Sequence, residues 1–413
     1  MNTSGQGIPI YRMNEIHNCL CDSNINKFAD IDAKTLNDFI LNDRDVLFNR
    51  TNSYEYVGRT GIYYSNINSI RTFASYLVRF VADEQYVKNE YLACFLNTKQ
   101  AKKEIRRRAR QSINQTNVNP EEVKEIEIPL LSDYFQKEIV NLFQESNKLR
   151  IQAEHFYNQA EDILNRELGI TNIENTKNYS VKSFSESFCE SNRLDAEYYQ
   201  DKYDSIKELL DTKENVESLC HIYDNNYIPT NKQNYQYIEL SNVGMNGEIS
   251  GVDVFNGKEL PTRARRLVKK NQVIISSVEG SLQSCALITD EYDGALCSNG
   301  FFIIDSDCIS SETLLILFKS LPIQALLKQR CSGTILTAIS NDELKKIPLP
   351  FIKQTLQKEI TQKVQESFRL RKDSKNLITV AIRAVELAIE KNEEYASQWL
   401  IENTNEIYHK AKY

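Results

Sequence analysis

Two stretches of the chain carry apolar residues at alternating spacings of four and three. In residues 133–168 the positions are Phe135, Ile139, Leu142, Ser146, Leu149, Ala153, Phe156, Ala160 and Ile163. That spacing is a heptad seam, which fits a helix and not a strand. Gly169 follows and is expected to end the helix. Nearer the end of the chain, Leu356, Ile360, Ser367, Leu370, Leu377, Ala381 and Ala384 repeat the seam. Small residues recur on both, Ser146, Ala153 and Ala160 on one and Ser367, Ser374 and Ala381 on the other, and permit close helix approach. A helix of about 36 residues is about 54 Å long. Two such helices in one chain are expected to pair as an antiparallel coiled coil. The pairing residues are Phe135, Ile139, Leu142, Leu149, Phe156 and Ile163 on one, and Leu356, Ile360, Leu370 and Leu377 on the other. The simpler alternative packs each helix on its own globular domain. Between the helices, runs rich in Tyr, Val and Ile are punctuated by turn signals such as Asn246-Gly247 and Asn256-Gly257. These read as globular domains of mixed α/β (α+β) class.

The chain also repeats itself. Residues 116–150 and 337–371 align without a gap. Gln136-Lys137-Glu138-Ile139 matches Gln357-Lys358-Glu359-Ile360, Gln144-Glu145-Ser146 matches Gln365-Glu366-Ser367, and Leu149-Arg150 matches Leu370-Arg371. Upstream, each copy runs through a short strand (DVLFNR, QVIISS), a polar loop and an apolar helix (EYLACFL, ETLLILF). The second copy has a lead-in, residues 180–228, with no counterpart in the first, so the first domain is expected to lack its lead-in. The organisation predicted is a pseudo-two-fold internal repeat: a first domain over 1–132, a helix over 133–169, a second domain over 170–353, a second helix over 354–395 and a C-terminal tail over 396–413.

Composition narrows the function. The chain has 413 residues, 41% hydrophobic and 26% charged, which supports a sizeable core. Lys plus Arg is 50 against 57 Asp plus Glu, a net charge of −7, which argues against a blanket polyanion binder. No run approaches the roughly 20 apolar residues of a membrane span, and the start lacks the apolar core of a signal peptide. The expectation is a cytoplasmic protein with no membrane partner. Nine cysteines without regular spacing do not suggest a disulfide framework. His17-x-Cys19-x-Cys21 is the nearest approach to a ligand cluster and reads better as a strand with small buried thiols. No HExxH, GxSxG, P-loop or GxGxxG occurs, nor the Asn/Asp-Pro-Pro-aromatic motif of an amino-group methyltransferase. Neither a metal nor a catalytic residue is predicted.

The basic residues are gathered rather than spread. Arg263, Arg265, Arg266, Lys269 and Lys270 lie in RARRLVKK, and Lys102, Lys103, Arg106, Arg107, Arg108 and Arg110 in residues 102–110. The loop after the first strand holds Asn49, Arg50, Asn52, Tyr54 and Arg59; its counterpart holds Ser276, Ser277, Ser281 and Gln283. Acidic residues crowd the helical segments, for example Glu154, Glu161, Asp162, Glu386 and Glu390. Lys and Arg serve DNA phosphates, while Arg, Asn, Gln and Ser read base edges. The residues of the two loops, together with Arg263, Arg265, Arg266, Lys269 and Lys270, are therefore the candidate DNA contacts.

Taken in order, these parts resemble the specificity (S) subunit of a type I restriction-modification system. The strand signature stands as Asp45-Val46-Leu47-Phe48-Asn49-Arg50, and more loosely as Gln272–Ser277 before Glu279-Gly280-Ser281. Each domain closes on Ile126-Glu127-Ile128-Pro129 with Gln136–Ile139, or Ile347-Pro348-Leu349-Pro350 with Gln357–Ile360. The second lead-in, Arg193-Leu194-Asp195-Ala196-Glu197-Tyr198-Tyr199, resembles that family's domain start. The second strand departs from the pattern, with Gln272 and Ser277 where Asp and Arg are usual. The resemblance implies two target-recognition domains, each reading one half of a split double-stranded DNA target. It implies helices that set the spacing and dock two methyltransferase subunits, with restriction/translocase subunits joining for cleavage. Adenine-N6 methylation, S-adenosylmethionine, ATP and Mg would belong to those partners; this subunit would carry no cofactor and no chemistry. A coiled-coil scaffold without DNA recognition is the alternative. A single-chain nuclease is disfavoured, because its Glu122-x-Lys124 spacing recurs as Glu343-x-Lys345 in the lead to the second helix.

Overall fold

The computed structural model describes residues 2, 5–65, 70–113, 115–170, 179–333 and 337–410. The first repeat runs β1 (Ile8–Tyr11), β2 (Ile16–His17), β3 (Leu20–Cys21), β4 (Phe28–Ala29), α1 (Ala33–Phe39), β5 (Val46–Asn49), β6 (Thr51–Asn52), β7 (Thr60–Ile62), β8 (Thr72–Phe73), β9 (Leu77–Phe80), α2 (Asn89–Leu96), α3 (Lys99–Arg108), β10 (Arg110–Gln111), β11 (Thr116–Asn117) and α4 (Pro120–Val123). The long helix α5 (Asp133–Leu168) follows. The second repeat adds a lead-in of α6 (Phe188–Ser191), α7 (Asp201–Leu210), α8 (Val216–Leu219) and β12 (His221–Tyr223). It continues through β13 (Asn234–Ile238), β14 (Asp253–Asn256), β15 (Ala264–Leu267), β16 (Val273–Ser276), β17 (Cys285–Leu287), β18 (Leu296–Ser298), β19 (Phe301–Asp305), α9 (Ser311–Lys319), α10 (Leu321–Gln329) and α11 (Asn341–Lys345). The chain closes on α12 (Gln354–Glu390) and α13 (Glu393–Lys410). The fold is mixed α/β, as the patterning predicts.

The chain forms two compact units, residues 1–153 with 369–413, and residues 154–368. The division falls inside both long helices, so neither helix belongs wholly to one unit.

The repeat seen in the sequence is a repeat of topology. In the first unit the sheet order is β2-β3-β7-β5-β9; in the second it is β12-β19-β16-β17. The shared part is a central strand antiparallel to both neighbours: Val46 pairs with Ile62 and Phe80, and Val273 with Leu287 and Ile304. Both central strands are buried along their whole length, which explains their continuous apolar runs. A second sheet is ordered β4-β1-β8 in one unit and β14-β13-β18-β15 in the other, each with one parallel pair. A small ladder, β10-β11-β6, becomes the bridges Val278–Ala338 and Ser332–Ala338 in the second unit. Seven of the nine cysteines are buried and all are free thiols.

The units differ at one end. In the second, the lead-in closes it: β12 pairs with β19, Tyr203, Ile206 and Leu210 of α7 enter the core, and the Val216 N–H donates to the Ile347 carbonyl at 3.0 Å. In the first, α13 does so. Ala396 and Leu400 join the core with Ile126 and Phe135, and the Ser132 N–H donates to the Glu393 carboxylate at 2.9 Å. The segment expected as a tail thus begins as a packed helix.

The long helices pair antiparallel within each unit. In the first, Ser146 and Ser374 each donate a hydroxyl to the other's backbone carbonyl, at 2.9 and 2.8 Å. In the second, Lys363 lies 5.0 Å from the Phe156 ring centroid and Lys353 pairs with Glu167 at 3.0 Å. Phe135, Ile139, Leu142, Ile163, Ile360, Leu370 and Leu377 are buried as the seam requires. Leu149 and Leu356 are half-buried against the cores; Phe156 is half-buried, and its neighbour Tyr157 takes the interior at 1% exposure. Phe143, Leu164, Val364 and Val385 are buried as well. The apolar stripe is wider than a two-position seam because each helix packs on a globular core in addition to its partner.

Candidate nucleic-acid interface

Each candidate loop starts where a central strand ends. Asn49 and Ser276 are the last residues of β5 and β16, and both are fully buried. The Asn49 amide donates to the Met13 carbonyl at 3.4 Å. The Ser276 hydroxyl meets the Ser281 hydroxyl at 2.8 Å and accepts from the Val278 N–H at 3.1 Å. The Ser276 hydroxyl thus closes its own turn, a use to which a short polar side chain is suited, whereas the Asn49 side chain reaches back to the segment before β2.

The next residue occupies the same backbone slot in both units. The Arg50 N–H donates to the Tyr76 carbonyl at 3.0 Å and its own carbonyl accepts from Val118; the Ser277 N–H donates to Gly300 at 2.8 Å and its carbonyl accepts from Ile339. The side chains then diverge. Arg50 is half-buried and makes no ion pair among the described residues. The Ser277 hydroxyl turns back to the Gly300 carbonyl at 2.9 Å. The sequence departure at Ser277 therefore replaces a half-buried cation with a hydroxyl that bonds the Gly300 carbonyl.

In the first unit the loop beyond Arg50 is an aromatic and cationic patch. Asn52 accepts from the Ser53 N–H at 2.8 Å. Tyr54 and Tyr56 are about half exposed, at 45% and 50%. The Arg59 guanidinium stacks 4.3 Å over Tyr56 and donates to the Ile16 carbonyl at 3.2 Å. Burial pulls its pKa down, with Tyr56 and Asp22 opposing. Arg106, from α3, lies 5.6 Å over Tyr54. The structure thus brings Arg50, Asn52, Tyr54 and Arg59 onto one loop. Tyr56 and Arg106 join them through the stacks on Arg59 and Tyr54, and Arg106 lies some 50 residues further along the chain.

In the second unit the candidates fall into two groups. Arg263 and Ser277 both abut the turn between β18 and β19: the Arg263 carbonyl accepts from the Asn299 N–H at 2.9 Å, next to the Gly300 carbonyl that Ser277 uses. Ser281 and the exposed Gln283 follow on the same loop, around Gly280, which has open space on its Cβ side. Arg265, Arg266, Lys269 and Lys270 continue along β15 and the turn after it. Arg266 is engaged with Asp224 at 3.1 Å and the Tyr223 carbonyl at 3.1 Å, and its side chain is 14% exposed. Arg265 donates to the Thr262 carbonyl at 3.0 Å, and Lys270 pairs with Asp290 at 2.7 Å. Arg263 and Lys269 are exposed and make no ion pair among the described residues. Most of the RARRLVKK cluster is thus committed to its own fold.

Among the described residues, no group of three or more His, Cys, Asp or Glu is placed to hold a metal ion, and no helix is long and apolar enough to cross a membrane.

Residues 2–161 match the family model described as "Type I restriction modification DNA specificity domain". No curated protein matches the chain. Among solved structures, the chain is similar to the type I restriction-modification S subunit from M. genitalium, at 14% identity and a TM-score of 0.40, over 93% of this chain and 88% of that one. It is similar to the HsdS subunit from Thermoanaerobacter tengcongensis at 11% identity and a TM-score of 0.28, over 93% and 90%. A chain from a study of complex assembly and conformational transition of the type I R-M system matches at 11% identity and a TM-score of 0.28, over 94% and 91%.

Proposed function

We propose that this chain, whose residues 2–161 match a type I restriction modification DNA specificity domain, is a specificity subunit that reads a bipartite double-stranded DNA target, one half per globular unit. It docks two methyltransferase subunits for adenine-N6 methylation, and restriction/translocase subunits for cleavage of foreign DNA. The observation that carries the reading is the pairing of that family match with a second unit built on the same central strand and its two antiparallel neighbours. Two readers of one kind fit a split target better than a continuous one, and joining them in one chain raises the effective concentration of each for its half-site. The S-adenosylmethionine, ATP and Mg of the reaction belong to the partners, and this chain supplies recognition.

Base-resolution methylation mapping with and without this gene tests the proposal. A split adenine-methylated motif should disappear with the gene. Arg50→Ala should relax recognition in the first half-site only, at a cost of about 1–3 kcal/mol if Arg50 makes a bidentate base contact. An unchanged methylome, or equal loss at both halves, would count against the reading. The scaffold alternative predicts no salt-dependent DNA affinity for the assembled complex.

A further inference from the structure

The two units carry helices of opposite character at the equivalent position, directly after α2 and α9. α10, LPIQALLKQ, is a core helix: Ile323, Leu326 and Leu327 are fully buried, and α7 of the lead-in lies against it. α3, KQAKKEIRRR, buries only Ala101 and Ile105. Its inner face packs directly on the candidate loop, where a Cβ added at Gly58 would lie 2.7 Å from Ile105 Cγ2. Its outer face is cationic. Between 99 and 110 there are seven Lys or Arg residues and one carboxylate, Glu104.

Some of these charges are held and some are free. Glu104 takes Arg107 at 2.8 Å and Arg108 at 2.6 Å, and its own pKa is lowered chiefly by Arg108. Arg110 pairs with Glu122 at 2.8 Å, and Lys99 pairs with Glu390. Lys102, Lys103 and Arg106 make no ion pair among the described residues, although Arg106 lies over Tyr54. A packed helix holding this many like charges costs self-repulsion that an anionic partner would relieve. Arg forks and Lys point charges on one face suit phosphate oxygens. The neighbouring loop, with Arg50, Tyr54 and Tyr56, offers groups of the kind that contact bases.

We propose that α3 is a phosphate-backbone anchor for duplex DNA, and that the sequence-independent part of the affinity rests on the first unit, because α10 carries no such face. This rests on the chain being a DNA specificity subunit, and it adds an unequal division of labour between two units of like topology. The predicted sign of charge changes is specific: removing cations weakens binding, and removing Glu104 strengthens it.

The test uses the full chain purified with its partner subunits, and measures Kd for the mapped target duplex and for a scrambled duplex between about 50 and 200 mM salt. The variant Lys102→Ala/Lys103→Ala/Arg106→Gln/Arg107→Gln should make the slope of log Kd against log salt shallower by about 3–4. Both duplexes should weaken by the same factor, with the recognition sequence unchanged. Glu104→Gln should tighten both several-fold, an effect that misfolding cannot mimic. Arg106→Lys/Arg107→Lys should keep the wild-type slope, and so should Lys328→Ala on α10. A wild-type slope in the fourfold variant, or a loss confined to one half-site, overturns the proposal while leaving DNA recognition intact. Absence of salt-dependent duplex binding by the wild-type complex overturns both.

Discussion

At the residue scale, the repeated glutamine is the clearest case of a motif acquiring a physical reason. Gln136 donates to the Tyr86 and Leu131 carbonyls, each at 3.0 Å, and accepts from the Lys88 N–H at 2.9 Å. Gln357 does the same with the Cys308 and Ile352 carbonyls and the Ser310 N–H, at 3.0, 2.9 and 2.8 Å. Each amide ties the first turn of a long helix to the segment before it and to the start of a core helix. Both are nearly buried, so truncation would strand three backbone groups away from water. Gln357→Ala is expected to destabilise the second unit by about 3 kcal/mol, read as a lowered midpoint in chemical unfolding. Gln136→Ala should do the same to the first. The sequence shows both glutamines as identities; it cannot show their partners, because a shared letter carries no geometry. Asn49 and Ser276 make the same point in reverse. Their residue types suit base reading, yet both are fully buried at the ends of their strands, Ser276 bonded within its turn and Asn49 to the Met13 carbonyl.

At the element scale, the long helices are read from periodicity because an apolar repeat of three and four is a local property of the chain. Which residue of a neighbouring pair turns inward is not. Phe156 fits the heptad, and Tyr157 takes the interior, because the helix answers to the β-rich core as well as to its partner. The small residues meet the expectation of close approach where Ser146 and Ser374 exchange hydrogen bonds. Ser146→Leu is expected to cost about 1–3 kcal/mol by overpacking that contact. Ser146→Ala removes one hydroxyl bond and should cost about 1 kcal/mol. Thermal unfolding of both variants checks the order; a Leu variant as stable as wild type would mean the helices part easily there.

At the scale of the whole molecule, the net charge of −7 is a sum over unlike parts. Cations concentrate on α3 and in the 263–270 stretch, and the structure then separates the two: α3 leaves Lys102, Lys103 and Arg106 without an ion pair among the described residues, while in the 263–270 stretch Arg265, Arg266 and Lys270 are spent on Asp224, Asp290 and backbone carbonyls. If the helices set the unread spacer, as the family resemblance implies, deleting one heptad from each removes about 10 Å of rise. Methylation mapping should then show a spacer shortened by about 3 base pairs, given about 34 Å per turn of DNA, with both half-sites intact. An unchanged spacer would separate helix length from target geometry.

The sequence by itself determined the repeat, the mixed α/β class, both long helices and the family resemblance. Each is visible in the order of residues along a short window, or in the identity of two windows. Which cations lack an ion pair among the described residues, which polar residues are buried, and how the first unit is closed emerge from the folded chain. Those outcomes depend on residues far apart in the chain: Arg106 over Tyr54, Asn52 paired with Thr116, and Ser132 held by Glu393, 261 positions away. No local pattern records such meetings, because they are fixed by the packing of the whole unit rather than by neighbours along the chain.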